Sequence, residues 1–317
     1  MPARAIIAAS LALAAGYASA QSYPSKPLRF ITVSAPGNDV HTRVYAQQVA
    51  SQLGQQVVVD NRPGGSGLVG ATAGAQAAPD GYNVLFATSG TMVINNFILA
   101  KMPFDTLKDF APVALVSSDP SVLVVSAVHS KFASAKDLIA EARKNPNAVS
   151  YGHFGPGSLP NILMSVIANT NGVSFVPVAY KGGPDVYADL LSGRLTAMID
   201  PVRNAAPHIK AGKLRALGLT MKAKPLPDVP TLRELGLVNF DSRTWWGVWT
   251  PAGVPKDILQ RLASEFAKAS QARDVVAKLE SLGSEVGGPT GEKFGAFVAE
   301  ELAVWRKRIA PLGIKLQ

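Results

Sequence analysis

Apolar positions along this chain follow two alternating rhythms. Short apolar runs such as Phe30-Ile31-Thr32-Val33, Val57-Val58-Val59 and Val84-Leu85-Phe86-Ala87 are rich in β-branched and aromatic residues and predict buried strands. Between them lie stretches with helical spacing. Tyr45, Val49 and Leu53 recur every four residues and stop at Gly54, a natural C-cap. The first strand runs into Ser34-Ala35-Pro36-Gly37-Asn38-Asp39, which is turn chemistry, with Asn38 or Asp39 placed to cap the helix that follows. A second strand is predicted over 56–60. The glycine-rich loop 61–67 then opens a helix over 68–77, and a third strand over 84–87 ends at Thr88-Ser89. This β-α-β-α-β order predicts a parallel sheet with helices on its faces.

The same rhythm continues. Strands are predicted over 111–116 and 121–125, with Asp119-Pro120 as a crossover between them, and a helix over 134–144 capped by Ser134. A strand over 149–152 enters a second small-residue turn, Phe154-Gly155-Pro156-Gly157-Ser158, with a helix from about Pro160. Further strands are predicted over 174–178, 195–200 and 214–219, and a helix over 185–191. A proline-rich stretch and the aromatic run Thr244-Trp245-Trp246-Gly247-Val248-Trp249 follow. Two helices close the chain, one with an Ile258, Leu262, Phe266 stripe and one with Phe294, Phe297, Val298, Leu302, Trp305 and Ile309 on its buried side. The turns at 35–39 and 154–158 are of one kind. Each aims backbone N–H groups from the positive end of a helix dipole, an arrangement suited to a carboxylate.

Composition narrows the picture. Arg4, the apolar run after it and Ala18-Ser19-Ala20 have the layout of a secretory signal peptide over residues 1–20, so the mature chain is expected to start at Gln21. No later segment approaches the roughly 18 uninterrupted apolar residues of a membrane helix. The 317 residues suffice for two domains with real cores. With no cysteine, thiol catalysis, thiolate metal sites and a cysteine-linked lipid are excluded. The net charge of +9 comes from basic residues spread thinly, which argues against nucleic-acid binding and allows a mild pull on anions.

Catalytic motifs are scarce. Gly65-Ser66-Gly67-Leu68-Val69-Gly70 matches G-x-G-x-x-G, but four residues separate it from its strand and the next strand ends without an acid for a ribose, so it reads as close helix–sheet packing. There is no G-x-S-x-G elbow, and His41, His129, His153 and His208 lack metal-motif spacing. His41 and His153 each adjoin one of the two turns and could meet across a cleft. Asp39 and Asp200 could pair as acid and base, or orient water and cap helices. Of Trp245, Trp246 and Trp249, at least two are expected in the core.

In this order and spacing, the residues resemble the tripartite tricarboxylate transporter substrate-binding proteins, the Bug receptors. The resemblance rests on Ala35-Pro36-Gly37 with Asp39 and Arg43, Asn61-Arg62-Pro63-Gly64, Pro79-Asp80-Gly81-Tyr82, Gly157-Ser158, Tyr180-Lys181-Gly182, Pro227-Asp228-Val229-Pro230-Thr231 and Trp246-Gly247, from about Tyr23 to Lys315. It implies an α/β, two-lobed periplasmic binding protein of the type II, Venus-flytrap kind, with a parallel-rich sheet in each lobe. Lobe 1 would be 21–121 plus 221–317 and lobe 2 would be 122–220. It further implies a non-enzymatic periplasmic receptor that hands a di-, tricarboxylic or aromatic acid to integral-membrane transporter subunits. The protein would act as a monomer, without cofactor, metal or nucleic acid. The ligand-binding residues carried over are Ala35, Gly37, Asn38, Asp39, Thr88, Ser89, Gly157, Ser158, Asn161 and Asp200. The loop between Pro36 and Asp39 is about two residues shorter than the family's, which predicts a cleft wide enough for a bulky acid. The alternatives are a ligand sensor docking on a signalling protein and an exported hydrolase.

Overall fold

The computed structural model describes residues 23–155, 158–180 and 183–313. The expected signal peptide, the mature start at Gln21, and Gly157, Lys181 and Gly182 lie outside the described residues. β1 (Leu28–Thr32), α1 (Val40–Leu53), β2 (Val57–Asn61), α2 (Leu68–Ala75) and β3 (Asn83–Thr88) form the first run. A π-turn over Gly90–Ile94 and α3 (Asn95–Ile98) lead to β4 (Phe110–Asp119) and β5 (Ser121–Ser126). Next come α4 (Ala135–Lys144), β6 (Ser150–His153), α5 (Leu159–Asn171), β7 (Val176–Ala179), α6 (Gly183–Leu191), β8 (Ala197–Pro201), α7 (Val202–Lys210) and β9 (Leu214–Leu219). The chain ends with β10 (Thr244–Pro251), α8 (Lys256–Ala269), α9 (Arg273–Ser281), β11 (Glu285–Val286) and α10 (Gly291–Ile309).

These strands make two mixed sheets, ordered β11-β4-β10-β3-β1-β2 and β7-β6-β8-β5-β9. The βαβ units pair in parallel, β1 with β2 and β3, and β6 with β7 and β8. The strands next to the crossing points, β4, β5, β9 and β10, make antiparallel pairs. The chain passes from the first sheet to the second at Asp119-Pro120-Ser121 and leaves the second after Leu219. The two crossings are laced together: Thr220 N–H donates to the Ser121 carbonyl at 2.8 Å, and Ser121 N–H donates to Thr220 Oγ1 at 2.9 Å.

Three apolar clusters hold this frame. Phe30, Tyr45, Phe86 and Phe266 fill one face of the first sheet under α1 and α8. Val122, Met198, Val186 and Val202 fill one face of the second sheet under α6 and α7. The third cluster is shared, running from Trp245, Trp249, Phe294 and Trp305 to Ile162, Ile167 and Ile199. On β10 the side chains alternate, so Trp245 and Trp249 enter the shared cluster while Trp246 and Val248 face the other way.

Local chemistry explains most element ends. Gly54 closes α1 in the left-handed region at φ 64°. Ser134 and Asp137 form a capping box on α4. Gly67, Gly70 and Gly74 are packing residues: a Cβ on Gly67 would lie 2.1 Å from Thr91 Oγ1, and one on Gly70 would lie 2.9 Å from the Arg62 carbonyl. The helix expected over 68–77 stops at Ala75, where Gln76 N–H turns back to the Thr72 carbonyl. One expectation is corrected. Asp39 stands at the N-cap of α1 but makes no capping bond, because its carboxylate is drawn away by Asn61 and Arg43.

Candidate functional site

Each sheet has one strand from which the connections run both ways. β1 lies between β2 and β3, and β6 between β7 and β8. A crevice opens beyond the carboxyl end of such a strand, because successive connections leave in opposite directions. The two small-residue turns leave from the carboxyl ends of these two strands. Their walls meet in a single cavity of about 650 Å³ between the sheets. Ser34 and Asn38 come from the first turn and Phe154 from the second. Leu159, Pro184 and Arg203 bring in the first turns of α5, α6 and α7. Three helix N-termini therefore border the cavity, with Asn38 just ahead of a fourth, and all favour negative charge there. A hollow of about 710 Å³ lies against α10, but no strand end reaches it.

The residues expected at the site are placed as follows. Asn38 and Asp200 line the cavity. Asp39 is buried beneath the first turn. It accepts from Gly37 N–H at 3.2 Å and Asn61 Nδ2 at 2.7 Å, and pairs with Arg43 at 2.8 Å. Burial raises its pKa, but the Asn61 and Arg43 hydrogen bonds and the Arg43 charge more than offset this and hold it below the usual value. Asp39 thus shapes the turn. Gly37, at φ 88°, donates to it, and Asn38 N–H donates to the Ala35 carbonyl, so these two amides are engaged within the turn. Ser158 stands at the N-cap of α5 without a side-chain capping bond and donates from Oγ to the Gly155 carbonyl at 2.7 Å. Asn161 donates to the Tyr151 hydroxyl at 2.8 Å.

Thr88 and Ser89 stand behind the wall. Ser89 is buried and accepts from Trp245 N–H at 3.3 Å, while Thr88 Oγ1 accepts from Thr91 N–H at 3.4 Å. His41 and His153 are not brought together. His41 stacks on Trp246 at 5.1 Å between ring centres, whereas His153 Nδ1 accepts from Gly155 N–H at 3.1 Å. Asp39 and Asp200 are likewise held by separate partners.

Sequence reasoning passed over Tyr187 and Arg203, which also form the wall. Arg203 Nη1 donates to Asp119 Oδ2 at 2.8 Å, tying α7 to the crossover. Asp119 also accepts from Ser284 Oγ and from Trp246 Nε1 at 3.3 Å, with His41 Nε2 at 3.5 Å. Burial raises the Asp119 pKa, but the His41 hydrogen bond and charge, the Arg203 charge and the Ser284 hydroxyl hold it well below the usual range. Asp200 behaves oppositely. Burial pushes it up to about 6, against the pull of the Tyr187 hydroxyl, the nearby Asn204 amide and the Arg203 charge. Among the described residues no group of three or more His, Cys, Asp or Glu side chains is arranged to hold a metal, and no helix is long and apolar enough to cross a membrane.

The model of the tripartite tricarboxylate transporter family receptor, TctC, matches residues 41–314. The chain belongs to this family. Among its TctC-type relatives, Protein BugT of Bordetella pertussis is 32% identical over 304 residues, covering 94% of this chain and 93% of BugT. A protein from the tcbD-tcbE intergenic region of Pseudomonas sp. strain P51 is 36% identical over 293 residues, covering 91% of this chain and 87% of the relative. A Rhodopseudomonas palustris protein solved with adipate is 29% identical, with a TM-score of 0.83 over 93% of this chain and all of that one. MatC from the same organism, with bound malate, is 26% identical, with a TM-score of 0.79 over 90% of this chain and all of that one. TctC proteins are periplasmic solute-binding receptors, and this chain has their two-lobed α/β fold.

Proposed function

We propose that this TctC receptor closes its lobes on a small carboxylate, di- or tricarboxylic or aromatic, and delivers it unaltered to a tripartite tricarboxylate-type membrane transporter. The observation that carries this reading is the single cavity walled by the first turns of helices from both sheets, at the carboxyl ends of β1 and β6. Relatives solved with adipate and malate support a carboxylate as the ligand. The volume of about 650 Å³ and the presence of Phe154, Tyr187 and Trp246 in the wall suit a flat, bulky acid as well as a linear one.

In this reading the lobes are 21–121 with 221–317, and 122–220, and they hinge at the laced pair Ser121 and Thr220. The ligand meets the first turn at Ala35 and Asn38, the second at Gly157 and Ser158, and Asp200 between them. Asp39 and Gly37 act by holding the first turn, and Thr88, Ser89 and Asn161 by backing the wall.

A thermal-shift panel of mono-, di- and aromatic carboxylates tests this. Ligand at about 100 times Kd stabilises by about 2.7 kcal/mol. Asp39→Ala and Ser158→Ala each release a turn and are expected to weaken binding with the fold intact. Consumption of a carboxylate on incubation, or a panel without any shift, overturns the reading.

A further inference from the structure

Among the described residues, Asp200 is the one acidic side chain in the cavity wall, in a site otherwise built to attract anions. It is buried, at 1% exposure, where β8 ends and α7 begins. Its Oδ2 accepts from the Tyr187 hydroxyl at 2.8 Å. Its Oδ1 is shielded from solvent and has no hydrogen-bond partner among the described residues. Arg203, whose charge acts on Asp200, is held by Asp119 instead. A bare carboxylate in this position would repel an incoming anion, and two carboxyl groups that share a site keep one proton between them.

We propose that as the lobes close the Asp200 side chain, buried in this structure, turns its Oδ1 into the cavity and binds the ligand as a neutral carboxylic acid, donating the Oδ1 proton in a hydrogen bond to a ligand carboxylate oxygen, so that capture takes up one proton. This rests on the carboxylate-receptor reading above. The proton comes from solvent, and no covalent bond changes besides the one to that proton. Tyr187 fixes which oxygen is the acceptor, and the unpartnered oxygen is left to carry the proton.

The groups around Asp200 are few. α6 offers Tyr187, whose ring stacks on His208 of α7 at 4.9 Å. α7 also offers Arg203 and Asn204, whose amide lies near the carboxyl and lines the same cavity but makes no hydrogen bond to Oδ1. β5 places Val122 opposite, and β6 ends in His153, whose Nδ1 is already an acceptor. Arg203 is itself paired with Asp119, which has His41 beside it. Burial raising Asp200 to about 6 agrees with this geometry.

The test is calorimetric titration of the full receptor with adipate, malate and benzoate at pH 6, 7 and 8, in buffers of different ionisation enthalpy. Wild-type protein is expected to take up about 0.9 proton per ligand at pH 7 and to lose affinity by about 50-fold from pH 6 to pH 8. Asp200→Asn keeps a donor and cannot titrate. Its affinity is expected to stay flat across that range and to exceed the wild-type affinity at pH 8. Binding without proton uptake, or a pH dependence that survives in Asp200→Asn, overturns this inference while leaving the receptor reading intact. Absence of binding by all three acids at every pH overturns both.

Discussion

Asp119 joins the two sheets and the cleft, so its removal has a large and calculable effect. Asp119→Ala strips the acceptor from Ser284, Trp246 and Arg203 and leaves His41, 3% exposed in its side chain, beside an empty space. Removing one partner of a buried ion pair costs about 3–5 kcal/mol. The Arg203 side chain is 28% exposed and recovers some hydration, which places the expected loss near the lower end, about 3 kcal/mol. At about 2–4 °C per kcal/mol for chains of a few hundred residues, Tm should fall by about 6–12 °C. The pH dependence has a definite sign. The folded pKa of Asp119 is depressed, so its contribution is present above the unfolded value of 3.8 and is lost as pH falls through the folded value. Differential scanning calorimetry at pH 7 and at pH 2, between the unfolded value and the depressed folded one, measures both effects. A Tm for Asp119→Ala within about 2 °C of wild type at pH 7 would refute the reasoning.

Other substitutions follow from the same contacts. Asp200, with a folded pKa of about 6 against 3.8, destabilises the fold as pH rises between those values, so Asp200→Asn should gain about 3 kcal/mol over wild type at pH 8 and little at pH 4; urea unfolding at both pH values checks this. Gly247→Ala would set a Cβ 2.4 Å from the Trp249 ring and 2.5 Å from Phe294, so about 1–3 kcal/mol of overpacking should appear as a lower urea midpoint. Phe154, 40% exposed on the second turn, should tolerate alanine with about 0.5 kcal/mol or less in stability while binding of an aromatic acid weakens, which parallel melting and titration will separate.

The first βαβαβ run was legible because its signals are local. Phe30 and Ile31 have strand chemistry, Tyr45 and Val49 share a helix face, and Gly54 ends it. β10 was not legible as a strand. It lies between β3 and β4 with both faces buried, so Trp245 to Trp249 show no polar alternation. α7 was hidden by Pro207 inside it and by the lack of a turn before Val202. For the cavity wall, sequence marked both turns, since glycine, proline and serine mark a strand-to-helix turn, and the family resemblance singled out Asp200. Sequence misjudged Asp39 as a helix cap, because its partner Asn61 lies 22 positions away. It also missed Arg203 and Tyr187, because only the meeting of two sheets brings them to the wall that Ser34 and Asn38 complete.

The most direct measurement is isothermal titration of the receptor with the carboxylate panel, followed by recovery of the ligand. One-to-one binding, heat that returns to baseline after each injection, and an acid recovered intact are the predicted results. A sustained heat of turnover, or no one-to-one complex with any carboxylate, would contradict the account.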